Sequence, residues 1–109
     1  MAMFTRLAGL SGASGIGAAA YGAHGLKAKD PSLAKSYDNA QKMHMLNSVM
    51  LAVVPRLPRP RLTGSLFVAG SALFCGSCYA VALTGDRSYG RLAPAGGFTL
   101  IAAWLTLVL

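Results

Sequence analysis

Four stretches of apolar and small residues, set apart by short basic or proline-containing segments, organise this chain. The first runs from Leu7 to Leu26 without a Lys, Arg, Asp or Glu. The second, Met43 to Val54, is too short by itself to cross a hydrocarbon core of about 30 Å. The third, Leu62 to Thr84, and the fourth, Leu92 to Leu109, are long enough at about 1.5 Å per residue. The polar lead-in extends the second. Asp30-Pro31 sets a capping side chain before a proline suited to the first helical position. No helix breaker then intervenes until Pro55, while Leu33, Tyr37, Ala40, His44, Asn47 and Leu51 recur at helical spacing. The pattern predicts an all-α chain with helices at about 5–26, 31–54, 62–84 and 92–109. The second begins as an amphipathic interfacial segment and then enters the membrane.

Composition sharpens this into an integral membrane bundle of four transmembrane helices forming one domain over residues 1–109. Hydrophobic residues make up 54% of the chain and charged ones 12%. A soluble domain of 109 residues has too little interior for that much apolar surface. Ten Lys or Arg face three Asp, and the basic residues cluster between the apolar runs rather than among aromatics, which speaks against a nucleic-acid partner. Four spans would put Arg6, Arg56, Arg59 and Arg61 on one side, and Lys27, Lys29, Lys35, Lys42, Arg87 and Arg91 on the other. Four against six leaves the orientation open. The first run also has the outline of a cleavable signal peptide, with Arg6 before it and small residues near Ala23. Its Gly/Ala richness and length favour a retained helix, and uncleaved mitochondrial targeting is compatible with that. Two stripes of small residues, Gly9-Ala13-Gly17 and Ser11-Gly15-Ala19-Ala23, suit close helix contact.

Candidate chemistry is sparse. Antiparallel spans bring the end of helix one, the embedded start of helix two, the end of helix three and the start of helix four to one leaflet. A polar cluster of His24, His44, Asn47, Ser77, Tyr79 and Pro94 is therefore expected near that face. Its reading is structural, because no intramembrane carboxylate accompanies either histidine. Cys75 and Cys78 form one C-x-x-C, and with His24 and His44 they make a donor set chemically suited to zinc. One such pair is a weak signal, and buried cysteine commonly acts as a small hydrophobe, so no metal or other cofactor is expected. Arg56, Arg59 and Arg61 form a basic edge fitted to lipid head groups such as those of cardiolipin. No phosphate-binding loop, zincin motif or nucleophile elbow is present in the sequence.

The combination "YGAHGL", "QKMHMLNSV", "FCGSCYAVALTGD" and "LAPAGGFTLIAAW" resembles the transmembrane protein 256 family across nearly the whole chain. Family features fall on Gly22, Ala23, His24 and Gly25, on His44, on Gly76, Ser77 and Tyr79, on Pro94, Gly96 and Gly97, and on Trp104. The cysteines are less clearly part of that pattern. Bacterial relatives are small inner-membrane proteins of unknown function that tend to carry a longer basic tail. The short ending and "LTGD…LAPAGG" are closer to animal members, which implies a mitochondrial inner membrane. The resemblance implies a fold and an address, without an activity. The expected role is a non-catalytic accessory subunit of a membrane assembly such as a respiratory complex, partnered by lipids and other subunits. The alternatives are an oligomeric channel or carrier using His44 and Asn47, and a metal or redox protein using Cys75 and Cys78.

Overall fold

The computed structural model describes residues 2–24 and 31–108, with the His24 side chain excepted. Four α-helices follow one another: α1 (Ala2–His24), α2 (Pro31–Val53), α3 (Pro60–Thr84) and α4 (Ala93–Leu105). No strand occurs among the described residues. Successive helices are antiparallel neighbours, with α2 and α3 in the middle. Against the expected boundaries, α1 starts three residues earlier, at Ala2 rather than residue 5. Helix α4 is shorter, because Arg87–Leu92 forms a 3-10 turn and Thr106–Val108 winds on as a turn.

Prolines and one glycine set the corners. Pro55 lies in a 3-10 turn, Val54–Arg56, that ends α2, since a proline cannot supply the N–H a continuing helix needs. Pro60 opens α3, where the missing N–H has no helical partner to lose. At the far end Gly85 adopts φ 75°, and its N–H closes on the Val81 carbonyl at 2.8 Å. Only glycine takes that left-handed geometry without strain. Asp86 then caps the 3-10 turn, accepting from the Ser88 hydroxyl at 2.6 Å and the Ser88 N–H at 2.9 Å. These bonds, the hydroxyl's first, hold its carboxyl below the ordinary carboxylate range. A lowered pKa keeps this cap fully formed at neutral pH, and it is lost only as pH falls below the ordinary carboxylate value through the depressed one.

Among the described residues, only α3 is both long and apolar enough by composition to qualify as a membrane span. The expectation of four spans therefore meets this test in one helix. Glycine and alanine dilute α1; Lys35, Asp38 and Lys42 interrupt the first half of α2; and α4 has 13 residues. The apolar core gathers Phe4, Ala8, Leu51, Val54, Phe67, Leu100 and Ala103 from all four helices and the turn after α2. Trp104 packs edge-on against Phe67 with ring centroids 5.4 Å apart. Beside this core, Thr63 donates to Thr106 at 2.6 Å, because the Thr106 hydroxyl is committed to the Ala103 carbonyl.

Glycine governs the α3–α4 crossing. A Cβ at Gly96 would stand 2.8 Å from the Cα of Phe74, and one at Gly70 would meet the Leu100 side chain at 2.7 Å. Gly17 on α1 faces nothing within 4 Å. Gly96→Ala should therefore destabilise the bundle by about 1–3 kcal/mol, the scale of core overpacking, while Gly17→Ala leaves it unchanged or slightly stronger. Unfolding followed by circular dichroism in mild detergent checks the pair. Equal effects would show that backbone contact does not set this crossing.

Candidate functional site

Polar side chains on α2 recur at Tyr37, Gln41, His44 and Ser48, a spacing that keeps one face of the helix. That face meets α1. The Tyr37 hydroxyl donates to the Ala18 carbonyl, and Gln41 Nε2 donates to the Gly15 carbonyl at 2.9 Å. His44 Nε2 lies 3.4 Å from the Ser14 hydroxyl. Ser48 gives its proton to the His44 carbonyl at 2.7 Å, so Ser11 donates to Ser48 at 2.5 Å. Glycine makes this seam possible from the α1 side. A Cβ at Gly15 would collide with Met45, and one at Gly22 would meet the Tyr37 ring at 2.6 Å.

Tyr79 joins α3 to the same row. Its hydroxyl donates to Gln41 Oε1 at 3.1 Å and lies 3.0 Å from His44 Nδ1. With the phenol proton on Gln41, the ring nitrogen is the donor, so His44 carries its proton on Nδ1. Its Nε2 is then unprotonated and faces the Ser14 hydroxyl, whose own proton goes to the Ser11 carbonyl at 3.0 Å. The Tyr79 ring also meets those of His44 and Tyr37 near edge-on, with centroids 5.8 and 5.1 Å apart. The phenol thus ties α3 to α2, and Gln41 carries the link on to α1 at the same level.

Of the expected cluster, His44 and Tyr79 come together. Ser77 does not join them: its hydroxyl bonds the Leu73 carbonyl of its own helix at 2.5 Å. Pro94 is exposed in the first turn of α4 and has no N–H to bring to the network. Asn47 is fully buried, yet neither its amide nitrogen nor its oxygen has a hydrogen-bond partner among the described residues. The His24 side chain lies outside the described residues. Ser11, Ser14, Tyr37, Gln41 and Ser48 stand in the network without having been expected there. The signal was the polar periodicity of α2, read only as far as His44 and its neighbours.

A cleft of about 280 Å³ opens beside this network, lined by Ser11, His44, Ser71, Ala72, Cys75, Gly76 and Tyr79. Ser71 contributes a buried hydroxyl with no partner among the described residues. Cys75 and Cys78 are both free thiols. Cys75 is buried against the cleft, whereas the Cys78 carbonyl accepts from Ser36 at 3.1 Å. No group of three or more His, Cys, Asp or Glu capable of holding a metal occurs among the described residues. The basic edge is elsewhere: Arg56, Arg59 and Arg61 are exposed at the opposite end of the bundle, around the α2–α3 corner.

Residues 18–97, which include most of the network and its cleft, match a protein family described as a protein of unknown function, DUF423. The chain belongs to this family. A UPF0382 membrane protein of Schizosaccharomyces pombe is 34% identical over 94% of this chain and 95% of its own length. One from Staphylococcus haemolyticus is 33% identical over all of this chain and 94% of its own. The YwdK membrane protein of Bacillus subtilis is 30% identical, covering 99% of this chain and 94% of its own. No solved structure matches the chain. The DUF423/UPF0382 family consists of small membrane proteins with bacterial and yeast members, and membrane residence follows for this chain.

Two substitutions separate the roles of these polar groups. Tyr79→Phe and His44→Ala should each destabilise the bundle by about 1 kcal/mol. The double variant should lose less than the sum, since both remove the same bond; additive losses in detergent unfolding would dissolve the proposed coupling. Asn47→Leu replaces an unpaired buried amide with an apolar side chain of similar size. It should raise stability by about 1–3 kcal/mol in the same assay. A loss would show that the amide is satisfied after all.

Proposed function

We propose that this chain is a non-catalytic structural subunit of a larger membrane assembly, with all four helices crossing the bilayer and α2 starting in its interface. The observation carrying this reading is how polar and small residues are divided. The polar groups of the network bond to one another and to neighbouring backbone, with His44 Nδ1 held by Tyr79 and Gln41 bridging Tyr79 to the Gly15 carbonyl. Gly9, Gly12 and Gly17 of α1 and Gly76 of α3, by contrast, have nothing within 4 Å of a notional Cβ. Such smooth faces let another helix approach closely in lipid, where backbone proximity replaces hydrophobic drive. Leu10, Ile16 and Phe98 are 71%, 66% and 72% exposed, a surface that suits acyl chains or neighbouring helices. The longest dimension, 44 Å, is that of a bilayer with its head-group regions.

A family spread over bacteria and yeast fits an organelle of bacterial descent, and the quoted motifs resemble the transmembrane protein 256 family. Both support a mitochondrial inner-membrane home and a respiratory complex as the host, with Arg56, Arg59 and Arg61 at the lipid surface. The test is the native mass of the endogenous protein extracted in mild detergent, with co-migrating proteins identified. Migration with a large respiratory assembly is expected, and Gly17→Phe should release the chain from it without unfolding the bundle. Migration as a free monomer or small homo-oligomer would overturn the reading.

A further inference from the structure

We infer that the groove between α1 and α3 at the arginine-bearing end holds an anionic glycerophospholipid, with its phosphate at the start of α3 and an acyl chain along the groove. This rests on the reading that the bundle sits in a bilayer with Arg56, Arg59 and Arg61 at one leaflet surface. It adds where a lipid lies and what selects it.

The groove has a volume of about 290 Å³ and is lined by Met3, Phe4 and Leu7 of α1 and by Ser65, Val68 and Ala69 of α3. Apart from the Ser65 hydroxyl, these side chains are apolar. Phe4 forms the floor where it packs over Gly64: a Cβ there would lie 2.5 Å from the phenyl ring. The groove starts at Met3 and Ser65, near the end of the bundle, and runs inward to Leu7 and Ala69.

Charge complementarity identifies the occupant. Arg61 precedes Ser65 by one helical turn and so shares its face, at the mouth of the groove. Arg59 is the residue before the first turn of α3, and Arg6 lies one turn from Met3 on α1. Arg6, Arg56, Arg59 and Arg61 are all exposed, and none of their guanidinium groups has an ion-pair or hydrogen-bond partner among the described residues. Asp38 and Asp86, the described acidic side chains, both lie toward the opposite end, near the start of α2 and beyond α3. The start of α3 adds a second attraction. No side chain caps it, Pro60 has no N–H, and the Thr63 N–H is bonded to the Arg59 carbonyl at 2.9 Å. The N–H groups of Arg61 and Leu62 are left pointing out of a 25-residue helix toward the positive end of its dipole. A phosphate diester satisfies both the guanidinium groups and these amides. A free phosphate would leave the adjoining apolar groove unused, whereas a phospholipid fills both parts. Acyl chains gain little by exchanging lipid neighbours for protein, so selectivity comes from the head group.

Native mass spectrometry of the purified full chain in detergent, with phosphatidylglycerol or phosphatidylcholine of identical chains, tests this. The expected result is a retained phosphatidylglycerol adduct and little retained phosphatidylcholine. The pair Arg59→Gln and Arg61→Gln should lower phosphatidylglycerol retention about five-fold for each charge removed, while Arg59→Lys with Arg61→Lys keeps most of it. Ser65→Phe, which fills the mouth with both arginines intact, should lower retention as well. Unchanged helix content by circular dichroism guards each variant against a folding defect. Equal retention of the two lipids by the unaltered chain, or full retention by Ser65→Phe, would overturn the inference. A dimer mass in place of lipid adducts would overturn it in favour of a second copy in the groove. None of these readings depends on co-migration with a larger assembly, so the subunit proposal and this one fail separately.

Discussion

Where α4 crosses α3, a Cβ on Gly96 would lie 2.8 Å from the Cα of Phe74, and one on Gly70 would strike Leu100. Helices in lipid gain little from hiding apolar surface from one another, so they associate through close packing and through hydrogen bonds. The α3–α4 seam uses the first of these means. Gly96 and Gly70 bring the two backbones within reach of many weak contacts at once. Leu100 and Ala103 then close the core against Phe67. The rest of the bundle is built outward from this rigid pair, with α2 on α3 and α1 on α2.

The α1–α2 seam uses the second means. Helix α1 is largely glycine, alanine and serine over its middle, and such a surface offers little dispersion energy to a neighbour. Side chains from Tyr37 to Ser48 on α2 instead reach its carbonyls and hydroxyls in a row, covering about 16 Å of helix. At the other end Phe4 anchors α1 in the apolar core. Tyr79 links the two systems, because its hydroxyl reaches His44 and Gln41 of the polar row from the helix that carries the glycine seam.

The helices were legible in the sequence because apolar runs and prolines mark them: Pro31 opens the second as expected, whereas Pro60 opens the third two residues before the apolar run that predicted it at 62. The pairing of His44 with Tyr79 was legible from antiparallel topology, which brings the middle of α2 level with the last turns of α3. Rotation about each axis was not. Ser77 and Tyr79 are two residues apart, so they point about 200° away from each other on the helix, and Ser77 turns from the network. Serines 11 and 14 were hidden by a related ambiguity. In a run of small residues, hydropathy does not reveal which stripe faces inward. The structure turns Ser11 and Gly15 toward α2 and leaves Gly9 and Gly17 outside.

That outcome bears on function more directly than the identities of the histidine and cysteines do. A conduction path needs polar groups that can exchange partners with a moving ion or proton. Here the groups of the α1–α2 row bind backbone carbonyls or one another, and the Tyr79 proton is committed to Gln41. Breaking such bonds leaves the freed polar groups to find new partners, at a cost for each one buried. Their placement across the seam is what is required to hold a weakly attractive helix in register. With α1 held from one side, its opposite glycine stripe stays at the surface as a flat face available to another membrane helix. The proposed subunit role rests on this contrast between a fastened face, held by Gln41 and Ser48, and a face left smooth at Gly9 and Gly17.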